Sequence, residues 1–275
     1  MLALRLKGGL GNQLFQYAAA RQLALSNGQP LALDTHTGFA RDPYRRSYEL
    51  SHFAVTAPEL SAATVDALRR RCRLRWLGVR HLDSFWRERL RNCYCPLLAR
   101  IRFTDLYLEG YFQSPRYFTE IEHLVRREFR LGPAAGNHAG QVTIASNCVA
   151  IHLRRDRYSN TCPTSYYQQA AITVKTISGE EPHFLVFSDT HQVDPDIVRL
   201  PGRVSLIRHQ GLNAHLEDFR LMTQCRHFII ANSTYSWWAA WLGSQPGSVV
   251  VAPRSGWYGF RNPPRGLLPA TWILL

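Results

Sequence analysis

The feature that most constrains the fold is a regular alternation of short apolar runs with longer helix-like segments. Beyond residue 140, the predicted strands are 148–153, 183–188, 204–208, 226–231 and 248–252, and the predicted helices are 164–177, 214–225 and 233–243. Short apolar strands that are separated by helices indicate a parallel sheet covered by helices on both faces. We therefore expect an α/β fold that binds its ligands beyond the carboxyl ends of its strands.

The N-terminal half starts with the same alternation. Its predicted elements are strands at 2–6, 31–34 and 106–112 and helices at 13–28 and 114–129, with Gly28 placed to end the first helix and Ser114 to cap the second. Residues 41–105 are rich in arginine and are expected to be helical only in part. The stretch 131–140 contains glycine and proline without periodicity and is the best linker candidate. We expect two Rossmann-like lobes, 1–135 and 136–275, that face each other across a cleft.

The charge balance favours anionic partners. The chain of 275 residues has 33 basic and 20 acidic residues and a formal net charge of +13. Such an excess suits phosphates, nucleic acid or an anionic membrane surface. Many basic residues fall in 68–92, interleaved with leucine and tryptophan. This segment is interpreted either as an amphipathic element on an acidic membrane surface or as a solvated helical hairpin. Nucleic acid is disfavoured, because the basic residues at 154–157 follow a strand and do not form a continuous face.

The cysteines and the N-terminus bear on the expected location. The six cysteines show no zinc-type spacing, and Cys148 and Cys225 lie beside apolar runs, as buried thiols do. The opening "MLALRLKGG" does not resemble a signal peptide, and no apolar run approaches the ~20 residues of a membrane-spanning helix. We expect a reducing, cytoplasmic location, with 68–92 as the candidate for peripheral contact with the inner face of the membrane.

The first motif, "KGGLGNQ" at 7–13, joins a predicted strand to a helix. Its glycines would let the backbone approach a ligand, and the helix start offers free N–H groups. It departs from the dinucleotide-binding fingerprint, because Leu14 stands where the third glycine belongs. Asp34, at the end of the second strand, nevertheless keeps a nucleotide-dependent oxidoreductase open as an alternative.

The second motif, "IHLRRDRY" at 151–158, places Arg154 and Arg155 where a parallel strand leaves its sheet. Arginine presents a planar fork of donors that matches phosphate oxygens and stays charged at any working pH. The alternative interpretation is a surface ion-pair cluster with Asp156. For His152, a structural role and a ligand contact are equally compatible with the sequence.

The third motif, "HLEDFRLMTQCRHFIIANSTYSWWAAWLG" at 215–243, contains a helix with Asp218 near its start, a buried strand and a further helix. Ser233, Thr234 and Ser236 fall at the start of that further helix, which is a favourable place for an anion. N-capping alone would explain one of the three hydroxyl groups.

Three further aspartates lie at or beyond the end of the strand predicted at 183–188. Asp189 follows the strand at 183–188 and is expected on the ligand side of the sheet. Asp194 and Asp196 form a D-x-D pattern inside a proline-containing connection, and we do not expect them to hold a metal.

Together the three motifs resemble glycosyltransferase family 11, the α-1,2-fucosyltransferases. The resemblance spans most of the chain, and the motifs occur in the family's order. It implies a fold of the GT-B type and inverting transfer of L-fucose from GDP-β-L-fucose to the 2-hydroxyl of a galactoside, without a metal or other cofactor. The expected acceptor is a galactose-containing oligosaccharide, including one linked to a lipid. We expect the lobe 1–135 to face the acceptor, with its glycine-rich loop contacting the donor, and the lobe 136–275 to bind the GDP-sugar. A related transferase that uses another GDP-sugar is the nearest alternative.

The resemblance also implies roles for individual residues. Arg154 is similar to an arginine that holds the β-phosphate, His152 and Asp218 to guanine contacts, and Ser233, Thr234 and Ser236 to diphosphate contacts. The remaining donor-binding candidates are Gly8, Gly9, Gly11, Asn12, Gln13, Arg155 and Asp189, and the catalytic candidates are Arg154, His152 and Asp156.

One departure concerns the family pattern H-x-R-R-G-D-Y. This chain has Asp156 where glycine is expected and Arg157 where aspartate is expected. Asp34, Asp156 and His152 therefore all remain candidates for the general base that receives the proton of the acceptor hydroxyl.

Overall fold

The computed structural model describes residues 1–76, 85–88, 94–132, 144–154, 161–190, 199–211, 213–257, 263 and 266–275, without the side chains of 71–76. The chain divides into two compact units. The first is Met1–Gly132 with Arg265–Leu267, and the second is Pro133–Pro264 with Leu268–Leu275. The boundary expected at 135/136 lies among residues outside the described ranges, so the roles expected for the two halves stay predictions. The return of Arg265–Leu267 to the first unit was not expected from the sequence.

The first unit contains a sheet of four described strands, all parallel. They are β1 (Leu2–Arg5), β2 (Leu31–Asp34), β3 (Phe85–Arg87) and β4 (Leu106–Glu109), in the order β2-β1-β4-β3. The helices are α1 (Leu10–Ser26), α2 (Ala62–Trp76), α3 (Pro96–Arg100) and α4 (Glu122–Glu128). All residues of β2 and β4 are buried, as expected for parallel strands covered on both faces.

One helix prediction in the first unit was wrong in detail. The helix predicted at 114–129 is divided into two short 3-10 turns, Pro115–Tyr117 and Thr119–Ile121, followed by α4. The non-helical backbone of the fully buried Phe118, with φ of −137° and ψ of 19°, interrupts the helix. The capping role of Ser114 is confirmed, since its side chain accepts a hydrogen bond from the backbone N–H of Arg116.

The basic segment 68–92 is not helical throughout, because β3 lies within it and pairs with β4. Only three residues long, this strand gave no usable periodicity in the sequence. The rest of the segment is α2 up to Trp76, then residues largely outside the described ranges. No helix in the described ranges has the length and apolar character needed to cross a membrane.

The second unit contains a sheet of six described strands, again all parallel. They are β5 (Cys148–Leu153), β6 (His183–Ser188), β7 (Arg203–Ile207), β8 (His227–Ile229), β9 (Val250–Ala252) and β10 (Ile273–Leu274). The helices are α5 (Thr164–Ser178), α6 (Ala214–Thr223) and α7 (Thr234–Gly243). The five predicted strands and three predicted helices are confirmed, with boundaries shifted by no more than two residues. Cys148 and Cys225 are buried free thiols, as predicted.

The strand order fixes where each sheet is open to a ligand. In the second unit the order is β10-β9-β8-β5-β6-β7, so the chain builds outward from β5 on one side and then returns to its other side with β8. In the first unit β1 likewise lies between β2 and β4. At such a reversal, which we call a switch point, the connections leave the two strands in opposite directions and open a crevice at their carboxyl ends. The switch points here are β5/β8 and β1/β4.

Candidate functional site

The switch point β5/β8 brings two of the predicted site elements together. Arg154 directly follows β5, and Asn232 lies between β8 and the start of α7. Nη1 of Arg154 donates a hydrogen bond of 2.7 Å to the backbone carbonyl of Asn232. The side chain of Asn232 is itself held by a bond from Nδ2 to the carbonyl of Gly256 at 2.7 Å. The guanidinium is therefore fixed one residue before the N-cap of α7.

The start of α7 has the features of an anion site. Ser233 is the N-cap in an extended conformation, and its side chain makes no capping hydrogen bond within the described residues. The following Thr234 is partly exposed. The first N–H groups of a ten-residue helix and its dipole attract negative charge. Arg154 adds a full positive charge at the same place.

Ser236 differs from its two neighbours. It is fully buried, and its hydroxyl donates to the carbonyl of Ser233 at 3.3 Å and lies 3.5 Å from that of Ala231. A direct contact with a diphosphate, as expected from the sequence, would have to replace these internal bonds. The contact stays a prediction, and the internal use of the hydroxyl was not visible in the sequence.

His152 is buried in β5, and its ring centre lies 5.3 Å from that of Tyr235. Its Nδ1 atom has no hydrogen-bond partner among the described residues. Burial, together with the nearby charge of Arg154, lowers the pKa of His152 to about 3. The imidazole is thus neutral at ordinary pH and can offer a hydrogen bond to a ligand. A pKa this far below 7 makes it a poor general base.

Asp189 and Asp218 line one small pocket beyond the carboxyl ends of β6 and β7. His209 lines the same pocket, and its Nδ1 lies 2.5 Å from Oδ1 of Asp218. Burial raises the pKa of Asp218, while the hydrogen bond from His209 opposes this shift. His209 was not singled out in the sequence, because its partner lies nine residues away on another element. The pocket presents carboxylate oxygens to any ligand with adjacent N–H groups.

In the first unit, the glycine motif forms a tight turn from β1 into α1. Gly8 has a φ of +80°, which favours glycine, and a Cβ atom there would lie 2.8 Å from Nδ2 of Asn12. Gly9 is the N-cap of α1, and its carbonyl accepts from the N–H groups of Asn12 and Gln13. Gly11 is buried in the first turn of α1. The turn therefore brings its backbone and Asn12 to the switch point β1/β4.

Gln13 is fully buried and braces this turn. Its Nε2 donates to the carbonyls of Gly8 at 2.9 Å and Ser47 at 2.8 Å, and its Oε1 accepts from the N–H of Glu49 at 2.9 Å. Gln16, which the sequence analysis missed, makes two bonds of 3.0 Å with the backbone N–H and carbonyl of Lys7. The donor contact expected for Gln13 would have to displace one of its three bonds. The sequence did hold a sign of this role, because two glutamines three residues apart in an otherwise apolar helix are expected to bond to nearby backbone groups.

Asp34 was a candidate base and the residue that kept the oxidoreductase alternative open. It is fully buried and accepts hydrogen bonds from the N–H of His36 at 3.0 Å, the N–H and hydroxyl of Thr37, and the hydroxyl of Tyr107 at 2.5 Å. Burial would raise the pKa of Asp34, but the bonds from Thr37, Tyr107 and His36 outweigh it and hold the pKa below its ordinary value. Its carboxylate is committed to the fold, so the geometry disfavours both roles.

Several predicted residues lie outside the described ranges. They are Arg155, Asp156 and Arg157 of the second motif and Asp194 and Asp196 of the D-x-D pattern. Their roles stay predictions. In the part of the chain that the structure describes, no group of three His, Cys, Asp or Glu side chains is placed to hold a metal ion.

Solved structures with a similar fold are fucosyltransferases. A NodZ α-1,6-fucosyltransferase soaked with GDP-fucose superposes with a TM-score of 0.51 and 15% identity, over 88% of this chain and 91% of that one. A variant of Arabidopsis thaliana FUT1 in complex with GDP gives a TM-score of 0.52 and 12% identity, over 88% and 68% of the two chains. At such identities the likeness establishes the fold alone, and it confirms the α/β fold of the GT-B type.

Curated proteins of similar sequence are transferases. The O-antigen biosynthesis glycosyltransferase WbnK of Escherichia coli is 27% identical, over 98% of this chain and 99% of its own. An α-1,2-colitosyltransferase of Escherichia coli is 25% identical over 92% and 91%. The galactoside α-(1,2)-fucosyltransferase 2 of Oryctolagus cuniculus is 24% identical over 99% and 76%.

The family model described as Glycosyl transferase family 11 matches residues 65–258, which is more than half of the chain and includes the whole β5/β8 switch point. The expectation from the three motifs is thereby confirmed. The protein belongs to glycosyltransferase family 11 and is a glycosyltransferase.

Proposed function

We propose that the protein transfers L-fucose from GDP-β-L-fucose to the 2-hydroxyl of a galactoside, with inversion and without a metal ion. The observation that carries the proposal is the placement of Arg154 against Asn232 at the start of α7. That arrangement places an arginine fork beside the N-terminus of a helix, which suits the diphosphate of a sugar nucleotide. Family membership and relatives named as fucosyltransferases support the choice of sugar.

In this mechanism the acceptor hydroxyl displaces GDP directly at the anomeric carbon of fucose, through an oxocarbenium-like transition state. Negative charge then develops on the departing diphosphate. Arg154 and the N–H groups of the first turn of α7 stabilise it from fixed positions. Loss of one such preorganised donor costs about 3–4 kcal/mol in comparable sites.

The pocket of Asp189, Asp218 and His209 suits the guanine base. Guanine presents adjacent N–H donors from its ring nitrogen and its amino group, and a carboxylate accepts both. Adenine lacks that ring N–H at neutral pH. The bond from His209 fixes the orientation of the Asp218 carboxylate. The neutral imidazole of His152 offers a further hydrogen bond from the neighbouring strand.

The acceptor hydroxyl must lose its proton. Of the three candidate bases, Asp34 is saturated with hydrogen bonds and His152 has a pKa of about 3. Asp156 remains the candidate that this geometry does not disfavour, and we propose it as the base. It is also the position at which the chain departs from the family pattern.

Replacement of Arg154 tests the diphosphate site. We expect Arg154→Ala to lower kcat with GDP-fucose by a hundredfold or more, because the developing charge loses its strongest donor. Arg154→Lys should recover part of this loss, since an ammonium group keeps the charge but lacks the fork that can bind both the Asn232 carbonyl and a phosphate oxygen. Steady-state kinetics of purified variants measures both effects.

Arg226→Ala is the matched control. Arg226 also donates to a backbone carbonyl, that of Pro246 at 2.7 Å, but it precedes β8 and lies at the amino end of the sheet. Its replacement should leave kcat within about twofold of the wild type. Near-normal turnover in Arg154→Ala would refute the assignment of the diphosphate site.

Product analysis tests the reaction itself. Incubation with GDP-fucose and a panel of β-galactosides, in the presence of EDTA, should give a product whose NMR spectrum shows an α-1,2-linked fucosyl residue. The similarity to an α-1,2-colitosyltransferase makes a second GDP-sugar the alternative, so GDP-colitose and GDP-mannose belong in the same panel. Turnover of another GDP-sugar without turnover of GDP-fucose, or loss of activity in EDTA, would contradict the proposal.

We also propose that the protein acts in the cytoplasm and contacts the inner face of the membrane through 68–92. The support is the density of arginine and tryptophan in this segment, which begins on α2, where Arg69 is partly exposed and Arg70 is exposed. Co-sedimentation with vesicles containing anionic lipid should occur at low salt and decline as salt is raised. Vesicles of neutral lipid and the double variant Arg69→Glu, Arg70→Glu are the controls. No binding to anionic vesicles at low salt would rule the contact out.

A further inference from the structure

The switch point β1/β4 of the first unit carries an amide pair that joins Asn12, already a donor-binding candidate, to Gln113, which has had no role so far. The chain that leaves β1 forms the glycine turn and reaches Asn12, and the chain that leaves β4 reaches Gln113. Nε2 of Gln113 donates a hydrogen bond of 2.7 Å to Oδ1 of Asn12. The pair therefore joins the two connections at the place in this sheet where a ligand is expected.

Gln113 has one polar atom that the protein leaves unused. The residue is 2% exposed, and its Oε1 atom is buried without a hydrogen-bond partner among the described residues. A half-turn of the amide would exchange oxygen and nitrogen, yet it would still leave one of the two atoms without a partner. Buried polar atoms in native proteins are nearly always satisfied, so an exception calls for a ligand or an ordered water.

The backbone before Gln113 is held in an unfavourable conformation. Phe112 has a φ of +49°, which is rare for a bulky residue, and its side chain is fully buried. Both carboxylate oxygens of Glu88 accept bonds in this turn, from the N–H groups of Tyr111 at 2.7 Å and Phe112 at 3.3 Å. The N–H of Ser114 closes the turn on the Phe112 carbonyl at 2.8 Å. Strain that the surroundings enforce in this way is characteristic of functional sites, and here it aims Gln113 at Asn12.

The chemistry of the pair selects a neutral polar ligand. An unpaired carbonyl oxygen repels an anion, and two cations at the carboxyl end of β1 are already paired. Arg5 and Lys7 both contact the carboxylate of Glu109, at 2.7 and 3.3 Å. A hydroxyl group can donate to one amide oxygen and accept from an amide N–H, and sugars carry several such groups.

We propose that Gln113, together with Asn12, binds a hydroxyl group of a sugar at the β1/β4 switch point. The inference rests on the proposed function, because that function brings two sugars to the protein, the fucose of the donor and the galactoside of the acceptor. Both offer the same chemistry. The hydroxyl donates its proton to Oε1 of Gln113, and the bond from Gln113 to Asn12 fixes the orientation of the second amide.

The test compares Gln113→Met with Gln22→Met. Methionine matches glutamine in length and removes both polar atoms. Gln22 lies near the other end of α1, and its Oε1 is also buried without a partner, while its Nε2 bonds Ser26 at 2.9 Å and Glu120 at 2.7 Å. Each variant is measured for melting temperature, kcat, KM for GDP-fucose, KM for a β-galactoside, and hydrolysis of GDP-fucose without acceptor.

We expect Gln113→Met to lose about tenfold in kcat/KM, the effect of one hydrogen bond, while its melting temperature stays within about 2 °C of the wild type. Gln22→Met should leave every kinetic constant within about twofold. A rise in KM for GDP-fucose together with slower hydrolysis identifies the donor sugar. A rise confined to the KM of the galactoside identifies the acceptor. Either result supports the proposal.

Deoxygenated sugars test whether the effect of replacing Gln113 depends on the contacted hydroxyl group. The wild type should lose about tenfold with the analogue that lacks the contacted hydroxyl, and Gln113→Met should be indifferent to the same change. If Gln113→Met does not fold, the shorter Gln113→Asn variant is compared in the same way. Kinetic constants and analogue preferences equal to those of the wild type would overturn the proposal. So would a fall in melting temperature with an equal loss of affinity for GDP alone, which is the signature of a structural brace.

Failure of the proposed function can be distinguished from failure of this inference. If the wild type does not turn over GDP-fucose, the proposed function fails, and the same comparison is made with the GDP-sugar that it does consume. If it consumes none, calorimetric titration decides the inference. Affinities for GDP and GDP-fucose that are equal in the wild type, with no binding of galactosides, would overturn it.

Discussion

Parallel pairing of β5 with both β6 and β8 is the constraint on which the site in the second unit depends. Parallel strands bring their carboxyl ends to one edge, and the reversal of strand order at β5 opens a crevice there. Arg154 and Asn232 meet at that crevice although 78 positions separate them in the chain. The same constraint acts at β1, where Asn12 and Gln113 meet. Each unit thus brings polar groups together at one defined place, and the remaining buried strands supply the rigid support.

Hydrogen-bond satisfaction separates the polar residues that hold the fold from those that can meet a ligand. Gln13 and Asp34 look like site residues in the sequence, yet their polar atoms, like those of Gln16, are bonded inside the protein. Their bonds, worth about 1 kcal/mol each, keep the glycine turn and the end of β2 in place. By contrast, Nδ1 of His152 and Oε1 of Gln113 are buried without partners among the described residues, and each lies beside a switch point. These two atoms are where a ligand would complete the structure.

Much of the fold could be predicted from the sequence, because buried parallel strands are short, apolar and separated by helices. The sequence also predicted that Arg154 and Ser233 lie close together, because each follows a strand of the same parallel sheet. Gln113 could not be found in this way, since its role depends on the pairing of β4 with β1 and on the left-handed backbone at Phe112. The break in the helix predicted at 114–129 also depends on tertiary packing. Phe118 is buried in the core with a non-helical backbone, which local periodicity does not predict. His209 was missed because a single histidine in a loop carries no pattern.

The account's central claim is that the donor's diphosphate lies at the β5/β8 switch point. A crystal structure of the protein with bound GDP tests this claim most directly. The predicted result is a β-phosphate within hydrogen-bond distance of the Arg154 guanidinium and of the first N–H groups of α7. A diphosphate bound elsewhere, with Arg154 still bonded to the Asn232 carbonyl and to no phosphate oxygen, would contradict it.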